Sequence, residues 1–116
     1  MGKMIVFDTP EQKLVSVVDE ILRQTGGHNL SFGQAIECAK VGHGIQREGW
    51  NGKNQYVELA TRISYVNALG ETVNVDHEAI GNCALAFVGT SGVQIGWLAS
   101  QADMLANDWK VVGIEE

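Results

Sequence analysis

Apolar residues near the start of the chain recur at helical spacing. Leu14, Val18, Ile21 and Leu22 share one face, while Lys13, Asp19, Glu20 and Arg23 fall elsewhere. Thr9, Pro10 and Gln12 supply an N-cap, a first-turn proline and a capping-box partner, and Gly26-Gly27 provides the positive-φ stop. A second helix is predicted from Ser31, with Gln34 as its capping partner, an apolar stripe of Phe32, Ala35, Ile36 and Ala39, and Gly42 or Gly44 as terminator. Met4 to Asp8, ahead of both helices, reads as a short strand or extended arm.

After the second helix the period changes from 3.6 to 2. Residues 45–48 and 55–66 read as strands, and Leu69-Gly70-Glu71 as a turn into Thr72–Val75. Cys83–Val88 and Val93–Leu98 form a second hairpin around Gly89-Thr90-Ser91-Gly92. Ser100 to Ala106 is a short helix capped by Ser100 with Asp103, and Trp109–Ile114 a last strand. No strand-helix-strand rhythm demands parallel pairing. The expected class is α+β, a small single domain with an antiparallel sheet flanked by helices.

Composition narrows the function. The chain has 116 residues, 45% hydrophobic and 19% charged, as in an ordinary globular domain. Fourteen acidic against 8 basic residues give a net charge of -6, which disfavours duplex nucleic acid, whose binders need a basic face. A small anionic ligand remains compatible with that charge, because a few local cations and backbone N–H groups can hold a phosphate. Cys38 and Cys83 make no CxxC pair, and each is expected to be a small buried thiol. His28, His43 and His77 lack metal-binding spacing, and no nucleophile-elbow, P-loop or dinucleotide fingerprint is present. No metal, cofactor or catalytic residue is assigned. With neither a signal-peptide pattern nor a bilayer-length apolar run, a cytosolic protein without membrane contact is expected.

Two tryptophan segments carry the candidate chemistry. In Arg47-Glu48-Gly49-Trp50-Asn51-Gly52-Lys53 the glycines allow close approach to an indole face able to stack on a base, and Arg47 and Lys53 flank it as phosphate donors. The alternative is a turn whose tryptophan covers the edge of the core. In Trp97-Leu98-Ala99-Ser100-Gln101-Ala102-Asp103 a strand runs into a helix N-terminus, where Ser100 and Gln101 offer polar groups. The alternative there is simple capping by Ser100 over a core Trp97. A domain this small hardly encloses a nucleotide alone, so any such site is built from dispersed side chains, of one subunit or more, and symmetric pairing would let two tryptophan-bearing edges close over one ligand.

The order of Ser31-Phe32-Gly33-Gln34-Ala35-Ile36-Glu37, then the Trp50 segment, then Trp97-Leu98-Ala99-Ser100-Gln101-Ala102-Asp103-Met104-Leu105-Ala106 and Asn107-Asp108-Trp109, resembles the Thoeris anti-defence protein 2 family from about Leu30 to Ile114. The resemblance implies a phage protein, working in the cytoplasm of the infected bacterial host, that sequesters a cyclic ADP-ribose-type signal of Thoeris immunity without cleaving it. It also implies a homotetramer with pockets between subunits, and in some members a separate site for cyclic di- or trinucleotides of CBASS defence. On this reading Trp50 stacks, with Phe32 a second candidate. Arg47 and Lys53 meet the pyrophosphate, and Asn51, Ser100 and Gln101 meet ribose or base edges. Asp103 is assigned to capping, and Trp97 and Trp109 to core or subunit contacts. Residues 1–30 are expected as an N-terminal extension on a signal-binding core of residues 31–116. Position 96, a glycine, departs from the proline the family pattern leads one to expect before Trp97. The competing readings are an enzyme that degrades the same signal and a protein–protein inhibitor of a defence protein.

Overall fold

A computed structural model describes residues 9–50, 54–61, 63–74 and 83–113. The expected strand at 4–8 and the segments holding Asn51, Lys53 and His77 lie outside them.

Both N-terminal helices begin as their sequences demand. Helix α1, Pro10–Thr25, opens on Thr9, whose hydroxyl accepts from the Gln12 N–H while the Gln12 side chain caps the Thr9 N–H in return. It ends at Gly26 with φ +70, where the Gly26 N–H donates to Leu22 O. Helix α2, Phe32–Lys40, repeats this device with Ser31 and Gln34. Each such cap satisfies helix donors that water would otherwise hold, worth about 1 kcal/mol.

Strands β1 Ile45–Arg47, β2 Tyr56–Thr61, β5 Cys83–Gly89, β6 Gly92–Ile95 and β7 Trp109–Val111 form one sheet in the order β6-β5-β2-β1-β7, every pair antiparallel. Strands β3 Ser64–Val66 and β4 Thr72–Asn74 form a separate hairpin. Its turn is held by Asn67, whose side-chain oxygen accepts from the Leu69 and Glu71 N–H groups. Helix α3, Gln101–Leu105, joins β6 to β7. The expected α+β class with an antiparallel sheet is borne out.

Two strand boundaries and the burial of one cysteine differ from the sequence pattern. The single strand expected over 55–66 is two strands in two sheets, because β2 finds its partner in β5 and β3 in β4. The alternation of apolar and polar positions runs through the break, so it carries no trace of it. The strand expected to reach Leu98 stops at Ile95, where Gly96 and Trp97 both donate their N–H to Leu85 O, at 2.8 and 2.9 Å. Two residues opposite one is a bulge, and it redirects the chain that carries Trp97. Cys83, expected to be buried, is exposed: it opens β5 opposite Thr61, the exposed last residue of β2. Cys38 is buried, and that burial, aided by the charge of Glu37, pushes its thiol pKa up.

The core lies between α2 and the sheet. Ala35, Cys38 and Ala39 of α2 meet Ile45, Val57, Trp109 and Val111, with Val18 of α1 and Leu30 in the same cluster. Beyond β7 the chain before α2 continues the hydrogen bonding. Leu30 and Trp109 exchange N–H···O bonds of 2.9 and 3.1 Å, and the Val111 N–H reaches Gly27 O at 2.9 Å. Val18 and Leu30 precede the boundary expected at residue 31, yet they pack in one core with Ala35, Ile45 and Trp109 beyond it.

Candidate functional site

Trp109 is the residue on which the site is built. Burial on β7 leaves none of its surface exposed, and its indole N–H donates to Asp103 O at 2.9 Å. A buried indole needs such a partner, and here the partner is the backbone of α3.

Four other aromatic rings gather in the same cluster. Phe32, the first residue of α2, lies 5.3 Å from Trp109 between ring centroids. Trp50 lies 5.4 Å from Trp109 at 76°, 6.1 Å from Trp97 at 69°, and 5.8 Å from Phe87. Trp97 and Trp109 are 6.2 Å apart at 77°. The three tryptophan pairs, with near-perpendicular planes, are in the favoured edge-to-face arrangement, worth about 0.5–1.5 kcal/mol per pair beyond area burial, while the two phenylalanine pairs are tilted. Trp50 follows the turn after β1, its N–H donating to Arg47 O, and remains half-buried on the edge of the core. It is therefore a packed residue that also keeps some surface.

Arg47 ends β1 opposite Trp109. Its Nε donates to Asp108 Oδ1 at 3.0 Å and its Nη1 to Asp103 Oδ1 at 3.1 Å. The hydrogen bonds it donates to Asp108 and then Asp103 hold the guanidinium firmly in its charged form. Partial burial acts to raise the Asp103 pKa. The N–H of Ser100, the Arg47 guanidinium and the Ser100 capping contact outweigh it and leave the carboxyl below its ordinary value.

Ser100 caps α3: its hydroxyl accepts from the Asp103 N–H, and its own N–H donates to Asp103 Oδ2 at 3.1 Å. Gln101 is the exposed first residue of the helix. The structure thus links Arg47 and Ser100 through Asp103, and Phe32 and Trp50 through Trp109. Asn51 and Lys53 fall outside the described residues.

Sequence reasoning missed Phe87 and Asp108. Alternation places Phe87 on β5, but only its register with Val57 brings it to Trp50. Asp108 reads as a turn residue until the ion pair with Arg47, 61 positions away, is seen.

A cavity of about 250 Å³ opens beside the cluster, with Phe87 as an apolar wall and Gln55, Thr90, Ser91 and Gln94 as uncharged polar lining. Another, of about 340 Å³, is lined by His28, Asn29, Glu48 and Asp108, and its carboxylates suit an anionic ligand poorly. Among the described residues, no group of three or more His, Cys, Asp or Glu side chains is arranged to hold a metal, and no helix is long and apolar enough to cross a membrane.

Residues 30–112 match the Tad2-like family, described as the Thoeris anti-defense 2-like domain. The chain is also 36% identical over 88 residues to a protein of Bacillus phage SP01 named Thoeris anti-defense 2, an alignment covering 72% of this chain and 94% of that one. The match starts just before Ser31, takes in all three tryptophans and ends one residue beyond β7. The chain belongs to the Thoeris anti-defense 2 family, and so to the proteins that phages direct against this bacterial defence.

Proposed function

We propose that the protein is a sponge: it binds a cyclic ADP-ribose-type signal of Thoeris immunity and holds it intact in the infected host's cytoplasm, so that the effector downstream stays inactive. The observation that carries this reading is the half-buried Trp50, fixed by three aromatic neighbours, one of which, Phe87, also lines a cavity with uncharged polar walls. A ring already held rigid loses little freedom when a base stacks on it, so more of the contact energy appears as affinity. Neutral donors and acceptors such as Gln55, Thr90, Ser91 and Gln94 match ribose hydroxyls and base edges. Sequestration asks for no proton-transfer pair, which agrees with a binding protein rather than an enzyme.

Trp50 is the proposed stacking residue, with Phe32 supporting it through Trp109. Ser100, Gln101 and Asn51 are proposed for ribose or base edges and Lys53 for phosphate. A cavity of about 250 Å³ is smaller than a dinucleotide-sized ligand requires, which supports a pocket completed by a second subunit in a homotetramer. Residues 31–116 are proposed as the signal-binding unit, with residues 1–30 added to it. Cyclic di- and trinucleotides at a separate site extend the same reading.

The test is to mix the purified protein with cyclic ADP-ribose isomers, and separately with cyclic di- and trinucleotides. Binding is followed by calorimetry, and the bound material is released by denaturation and weighed by mass spectrometry. Stoichiometric release of unchanged ligand is expected. Recovery of a cleaved product would establish an enzyme instead, and capture of a defence protein without nucleotide would establish a protein inhibitor. Light scattering on the same sample reads the tetramer.

A further inference from the structure

The sequence makes Arg47 a natural partner for the ligand's pyrophosphate, yet its surroundings argue otherwise. The guanidinium is already shared by two carboxylates, at 3.0 and 3.1 Å, in a group whose side chains are only 15–37% exposed. One cation between two anions leaves the group net negative, so a phosphate brought to Arg47 would meet repulsion from Asp103 and Asp108.

What the ion pairs do is fasten α3. That helix has five residues and buries none of their side chains; Leu105 is 77% exposed and Met104 41%. A helix this short has little stability of its own and normally borrows it from an apolar face, which α3 does not bury. Trp97 and Ala106 pack on the core at its two flanks. Between them α3 is tied to the sheet through Asp103, whose side chain takes Arg47 from β1 and whose backbone oxygen takes the Trp109 indole. Asp103 spends its other carboxylate oxygen on the Ser100 N–H. A continuous chain of contacts therefore runs from Arg47 through Asp103 to Ser100, and through the same residue to the aromatic cluster.

We propose that Arg47 is a positioning residue: with Asp103 it clamps α3 to the sheet and so holds the aromatic cluster of Trp109 and Trp50 in place for the nucleotide, without itself touching the phosphates. This rests on the sponge reading of the site. It gives Arg47 to the scaffold rather than to the ligand.

The experiment uses the full chain, with cyclic ADP-ribose and its ribose-linked isomers as probes, and the variants Arg47→Ala, Arg47→Lys, Asp103→Asn and Arg47→Ala/Asp103→Asn. Hydrogen exchange of the Trp109 indole is followed by NMR in ligand-free protein, and affinity by calorimetry at a temperature where circular dichroism shows each variant folded. Arg47→Ala and Asp103→Asn should each weaken binding by about tenfold or more, and the double variant should be no worse than the poorer single one. The Trp109 indole should exchange about tenfold faster in both. Arg47→Lys keeps a cation but not the two-pronged geometry, so an intermediate loss is expected. Should Arg47→Ala fail to fold, Arg47→Lys and Asp103→Asn decide the matter.

A loss in Arg47→Ala with wild-type or tighter binding in Asp103→Asn would overturn the proposal and make Arg47 a direct ligand contact. Losses that add in the double variant would overturn it as well, as would wild-type affinity in Arg47→Ala. If the wild-type protein binds none of the probes, the sponge reading fails. Indole exchange then still judges the clamp, and unaltered protection in Arg47→Ala sinks it.

Discussion

Arg47 and Asp103, 56 residues apart in sequence, meet through a 3.1 Å Nη1–Oδ1 contact that joins the end of β1 to α3. Asp103 is at once the capping-box partner of Ser100 and its helix's anchor to the sheet. Stability and the shape of the candidate site therefore depend on the same carboxylate.

That dependence has a pH signature. Folding lowers the Asp103 pKa, so its stabilising contribution is complete well above the unfolded value and is lost as pH falls through the folded one. Urea midpoints measured between about pH 2 and pH 6 should fall on acidification, and fall less steeply in Asp103→Asn than in wild type. Parallel curves would show that Asp103 makes no such contribution.

Trp109→Phe removes the indole N–H from a fully buried position and leaves Asp103 O with only the 3.4 Å contact from the Ala106 N–H. The smaller ring also opens a void in the aromatic cluster. A loss of about 2–4 kcal/mol in chemical denaturation is expected, most of it from packing. A change under about 0.5 kcal/mol would mean that the site collapses around phenylalanine without cost.

For Trp50, binding and stability are predicted to fall together. Trp50→Ala should reduce affinity for the cyclic ADP-ribose probe at least about tenfold, the loss of one stacking contact. Because the ring also packs on Trp97, Trp109 and Phe87, the same change should cost about 1–3 kcal/mol of stability. Trp50→Phe, which keeps an aromatic face, should recover part of both. Unchanged affinity in a folded Trp50→Ala protein would leave Trp50 with a packing role alone.

The proline expected before Trp97 does not fit the backbone at Gly96. Its φ is +93, which the proline ring cannot reach, and its N–H is donated to Leu85 O at 2.8 Å. Gly96→Pro should therefore destabilise by about 2 kcal/mol or more, from strain and a lost hydrogen bond together, and should disturb the Trp97 side-chain signal in near-ultraviolet circular dichroism. Wild-type stability in this variant would show that the bulge rearranges freely.

Much of the fold was legible along the chain because its signals are local. Thr9 with Gln12, Ser31 with Gln34 and Ser100 with Asp103 each satisfy helix-end donors within three residues, so their spacing alone placed three helix starts. Leu69-Gly70-Glu71 likewise marked the turn between β3 and β4, where Gly70 has a positive φ. The order of the tryptophan segments was enough to indicate the family.

Pairing and partnership were not legible, because they depend on which distant groups meet. Nothing near residue 62 distinguishes one long strand from two that enter different sheets; that is decided by the registers of β2 with β5 and β3 with β4. The same holds for Arg47. Beside Trp50 in sequence it reads as a cation waiting for phosphate, whereas in the fold its guanidinium is paired with Asp103 and Asp108, since a charge partly taken from water needs counter-charges close at hand. From the sequence alone came the helix ends, the α+β class and the family. The tertiary structure alone decided that Trp50 is held by three aromatic rings and that Arg47 is held by two carboxylates, because only there do side chains from separate elements compete for the same partners.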